Sequence, residues 1–62
     1  MKVREVIRML ESAGWRLVRT GGSHRQFRHA TMPGGAMVAG KPGLEIPAGT
    51  LKSICKQAGM ER

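Results

Sequence analysis

The chain has no aspartate, a single cysteine, one tryptophan and one phenylalanine among its 62 residues, and no apolar run long enough to span a bilayer, which takes about 18 to 20 residues. Each shortage excludes something. Cys55 has no partner for an internal disulfide, and one cysteine with two histidines falls short of a closed four-ligand zinc site. Glu5, Glu11, Glu45 and Glu61 are scattered, whereas metal-dependent nucleases gather carboxylates around the ion. No metal or other cofactor is therefore expected. The first residues, Met1-Lys2-Val3-Arg4-Glu5, lack the apolar stretch of a signal peptide. With no membrane segment and an unpaired thiol, a cytoplasmic location is expected.

Core-forming material is also scarce. A chain of this length makes one domain, residues 1–62, and buries only about 60% of the surface that its unfolded form exposes. Hydrophobic burial and chain entropy then nearly cancel, so small domains use disulfides, metals or partners as staples. Here a partner protein is the staple that remains.

What the sequence has in excess is positive charge. Eleven Lys and Arg stand against four acids, a net charge of +7. The sequence pI is near 11.3, which points to a polyanion, nucleic acid first. A membrane surface fits less well, because the basic stretch from Arg16 to Arg28 holds Gly-Gly and alternating residues and not a long amphipathic helix.

Val3, Val6, Ile7 and Leu10 recur at helical spacing and predict a helix over residues 2–13, with Gly14 after it in the left-handed position and Trp15 plugging the core. Alternation then predicts strands over 15–20 and 24–29, broken by Gly21-Gly22-Ser23. Trp15 and Leu17 share one face of the first. Phe27 draws Arg25 and His29 to the core side of the second, leaving His24, Gln26 and Arg28 outward. Residues 36–39 suit a third strand, and Leu51, Ile54, Cys55 and Ala58 mark a second helix opened by Pro47 or Thr50. The expected fold is α+β: αβββα, a three-stranded antiparallel sheet with both helices on one face and the other face open.

The open face carries the candidate chemistry. Gly22 allows close backbone approach, Ser23 adds a hydroxyl, and His24 follows beside Arg25 and Arg28. RNA is cleaved without metal when a base takes the 2′-OH proton, an acid protonates the leaving 5′-oxygen and cations stabilise the phosphorane. Imidazole suits either proton-transfer role near neutrality. The bland alternative is an ordinary surface histidine beside a turn. His29, an odd number of residues from His24, faces the other way and reads as a half-buried strand-end residue, so the second proton-transfer group is unassigned. Lys41, Lys52 and Lys56 are candidate phosphate contacts or else solvated charges. Cys55 reads as core packing.

Ala13-Gly14-Trp15, Gly21-Gly22-Ser23-His24-Arg25-Gln26-Phe27 and the run from Gly49-Thr50-Leu51 to Lys56-Gln57-Ala58-Gly59 together resemble the HicA family of toxin-antitoxin systems over nearly the whole chain. The resemblance implies an mRNA interferase of double-stranded-RNA-binding-like fold, in which the histidine of Gly-Ser-His, here His24, is required for cleavage. It also implies a HicB-type antitoxin partner that covers the active face. Many members carry Pro-x-His after the third strand, whereas this chain reads Val38-Ala39-Gly40-Lys41-Pro42. That role is vacant here or falls to Lys41. The reading from a different class is a non-catalytic RNA-binding module, whose basic surface contacts phosphates and 2′-hydroxyls.

Overall fold

The computed structural model describes residues 1–60; Glu61, the last of the scattered acids, lies outside them. The elements run α1 (Val3–Ser12), β1 (Trp15–Gly21), β2 (His24–His29), β3 (Ala36–Ala39) and α2 (Ala48–Gln57). The sheet is antiparallel in the order β1-β2-β3. This is the expected αβββα arrangement, with β2 and β3 bounded as the alternation predicts.

One cluster holds the layers together. Val3, Val6 and Leu10 of α1, Ile54 and Ala58 of α2, and Trp15, Phe27, Ala36 and Val38 of the sheet are all buried in it. Because Phe27 pairs with Ala36 and Arg25 with Val38, these sheet residues lie on one face, so both helices cover that face alone. Leu17 sits on the same face opposite Phe27 but is 50% exposed. It lies on the free edge strand, outside the buried cluster that the helices cover. Ile46, in the loop before α2, joins the core although no periodicity marks it.

That loop braces the start of α1, where the first amide groups lack partners within the helix. Val3 N–H donates to Leu44 O at 2.9 Å and Arg4 N–H to Pro42 O at 3.0 Å. Lys2 N–H donates to Glu5 Oε1 at 2.7 Å. The helix closes at Gly14, whose φ of +95° suits glycine and whose N–H donates to Glu11 O. Neither helix, nor any other among the described residues, is long and apolar enough to cross a membrane.

Strict alternation breaks within β1. Leu17 pairs with Phe27 but Arg19 pairs with Gln26, so Val18 is an extra residue, a β-bulge. Unbroken alternation places Arg19 under the helices with Leu17. The bulge turns it to the open face, opposite Gln26.

Candidate active face

His24 opens β2 after a tight turn. Gly21 pairs with His24, which leaves Gly22 and Ser23 as a two-residue hairpin loop. Gly22 has φ +59° and Ser23 has no positive φ, the pattern of a type II′ turn with glycine at its first central position. On the open face His24 stands between Gly21 of β1 and Ala39 of β3. Its cross-strand neighbours are thus a hydrogen and a methyl group. The exposed imidazole makes no side-chain hydrogen bond among the described residues.

The other candidates divide between the two faces. Arg28 is exposed on the open face, four residues from His24 and about 13 Å along the strand. Arg25 points the other way: its Nη1 donates to Gly40 O at 2.8 Å. Gly40 N–H in turn donates to Ser23 O at 3.1 Å, so Arg25 ties the end of β3 to the turn and does not extend over the open face. Lys41 follows Gly40, exposed, two residues beyond the Ala39 neighbour of His24. Its loop is fixed, since Lys41 O accepts from Leu44 N–H at 2.9 Å and the same loop caps α1. Lys52 and Lys56 are exposed on α2, in the helix layer behind the sheet. The structure therefore places the Gly22-Ser23 turn and His24 at one end of the open face with Arg28 further along it, while Lys41 lies in the loop after β3 at the same end of the sheet, a loop that turns back to brace α1. Arg25, Lys52 and Lys56 are not part of that face.

Two residues of the face escape a sequence reading, Arg16 and Arg19. Arg16 pairs directly with Arg28, and the bulge delivers Arg19 beside Gln26. The alternation of β1 already signals Arg16 as outward; nothing in the sequence marks the bulge.

His29 is a structural residue. Its Nδ1 accepts from Thr31 N–H at 3.1 Å and Met32 N–H at 3.2 Å, and amide groups can only donate. The ring proton is therefore on Nε2, which donates to Ala13 O at 2.9 Å. Trp15 meets the ring edge-on, with centroids 5.3 Å apart. A Cβ at Gly14 would stand 2.7 Å from His29 Nε2, a second reason for glycine there.

No three His, Cys, Asp or Glu side chains come together among the described residues. Among the described residues the one ion pair joins the Met1 amino group to Glu45, in the loop bracing α1, at 2.6 Å. That hydrogen bond raises the amine's pKa and lowers the carboxyl's. The open face thus keeps its positive charge uncompensated by any described carboxylate.

A comparison with curated proteins returns no match. Against family models, residues 3–60 match the family described as HicA toxin of bacterial toxin-antitoxin. The match runs from the first residue of α1 past the end of α2 and takes in both the fold and the Gly-Ser-His end of the open face. The chain belongs to the HicA toxin family.

Proposed function

We propose that this toxin is a metal-independent endoribonuclease acting on mRNA, with His24 as its catalytic residue. One observation carries the reading: within a toxin-family chain, the single histidine of the open face stands exposed between the small residues Gly21 and Ala39, on a surface rich in arginine. In the reaction, the 2′-oxygen of a ribose attacks the adjacent phosphorus while its proton passes to a base. The P–O5′ bond breaks, the 5′-oxygen takes a proton, and a 2′,3′-cyclic phosphate is left. His24 performs one of these proton transfers. Lys41, held at the same end, supplies charge to the phosphorane where other members have a histidine. Gly22 and Ser23 let the phosphate approach the backbone.

The antitoxin is a HicB-type protein that covers the open face and neutralises its charge in the cytoplasm. By binding only the folded toxin it also stabilises a thin-cored domain. Cleavage of RNA by the purified chain in EDTA tests the reading. Breakdown in EDTA is the expected result; salt-dependent RNA binding without cleavage favours a non-catalytic RNA-binding module instead.

A further inference from the structure

Arg16 and Arg28 lie directly opposite each other on the open face. Cβ atoms of opposed residues stand about 4.5–5.5 Å apart, and like charges so placed are destabilising. Both arginines are exposed, and Arg19 adds a third positive charge one step along β1. Glu5 and Glu11 belong to α1 and Glu45 to the loop bracing it, so no described carboxylate relieves this pair. An anion seated between them would.

Beside the pair lies a groove of about 320 Å³ lined by Val18, Gln26, Arg28, Met37 and Gln57. That is at the small end of ligand sites, of the order of one nucleotide and not a duplex. Its chemistry is mixed in a particular way. Val18 and Met37 are large apolar side chains left 55% and 44% exposed, Gln26 offers an amide, and Arg28 offers a planar cation. Single-stranded RNA is read by splayed bases that stack on aromatic rings or guanidinium planes and are hydrogen-bonded at their edges; here Arg28 supplies the plane, Gln26 the amide, and Val18 and Met37 an apolar floor. Gln57 closes the outer side, its Oε1 turned to Met37 N–H at 3.4 Å, so the α2 end walls the groove at the β3 edge. The bulge at Val18 gives the opposite wall.

We propose that this groove is a nucleotide subsite on the substrate path: Arg16 and Arg28 clamp one phosphate of single-stranded RNA, and its base lies on Val18 and Met37 where Gln26 reads its edge. The subsite extends from about 7 Å (Gln26) to about 13 Å (Arg28) along β2 from His24, so it binds a nucleotide flanking the scissile bond and not the bond itself. It sets register and base preference, while His24 does the chemistry. The proposal rests on the ribonuclease reading for its ligand, but it concerns binding and is tested apart from cleavage.

The test uses the full chain and short oligoribonucleotides with 2′-O-methyl groups throughout, which bind but lack the attacking hydroxyl. Affinity is measured against salt and across the four bases at one position. The Arg16→Ala/Arg28→Ala variant should show a slope of log K against log salt shallower by about 0.7, one single-strand phosphate contact. Its thermal midpoint should rise or hold, because a like-charge pair has been removed; a merely structural arginine pair predicts a fall. Gln26→Ala should keep the salt slope and lose a several-fold preference among the four bases. An unchanged slope in the double variant, or an identical base ranking in Gln26→Ala, overturns the subsite even if the wild type cleaves RNA. Loss of antitoxin binding with RNA slope unchanged would likewise overturn it, making the groove a protein contact. If the altered slopes appear but no RNA is ever cleaved, the subsite stands and the catalytic reading falls.

Discussion

The two ends of β2 each carry a histidine, and the fold treats them in opposite ways. His29 has both ring nitrogens engaged, one by Ala13 O and the other by the Thr31 and Met32 amides, with Trp15 against its edge. His24 has Gly21 and Ala39 as neighbours and no side-chain hydrogen bond among the described residues. A histidine that links α1 to the loop after β2 is spent on structure. A histidine without protein partners has both ring nitrogens open to a ligand. The same side chain thus serves different ends because an odd spacing sends the two rings to opposite faces of one strand.

The largest effect should come from removing the free ring. His24→Ala is expected to lower the cleavage rate by about 10²- to 10⁴-fold, the usual worth of a positioned acid or base. Thermal stability should stay within about 0.5 kcal/mol, since an exposed ring away from packing contributes little. Next come its small neighbours. Ala39→Leu places a branched side chain beside His24 and should slow cleavage by tenfold or more, because small misplacements of substrate cost up to about 10²-fold. If both variants cleave normally, the contrast between the two ends has no catalytic meaning.

His29→Ala should do the reverse. Loss of its hydrogen bonds and of the Trp15 contact is expected to cost about 2 kcal/mol, lowering the melting temperature by roughly 8–16 °C for a domain of this size. The rate per folded molecule should change little, measured well below the new midpoint. A stable His29→Ala protein that no longer cleaves would assign proton transfer to the wrong histidine here. The smallest effect is expected from Lys52→Ala/Lys56→Ala. These lysines lie in the helix layer, so cleavage should stay within about twofold and stability within about 0.5 kcal/mol. A steep fall in RNA affinity would show that RNA wraps past the sheet onto α2.

Much of this contrast is legible in the sequence. The helical stripe of Val3, Val6 and Leu10, and the placing of Phe27 between charged residues, suffice to orient α1 and β2. Once Phe27 faces the helices, His24 and Arg28 must face away. Less legible are features that depend on contacts between distant segments. Arg25 looks like a phosphate ligand by sequence, but its core-side position brings it to Gly40 O, a partner fifteen residues away. Lys52 and Lys56 share a helix flank, which says nothing of which side of the sheet that helix covers. The bulge at Val18 carries no turn residue or glycine to announce it, and with it goes the orientation of Arg19. Ile46 is a single apolar residue in a loop, and a single residue has no period.

The most direct test of the central claim is the product formed in EDTA from an oligoribonucleotide and from its counterpart with a 2′-deoxy sugar at the cleaved position. The account predicts that the wild-type chain cuts only the former, leaving a 2′,3′-cyclic phosphate or its hydrolysed form, and that His24→Ala, folded as the wild type is, cuts the former at least about 10²-fold more slowly and the latter not at all. Cleavage by His24→Ala at near the wild-type rate, cutting of the deoxy substrate at the same position, or activity that appears only when Mg²⁺ is added would contradict it.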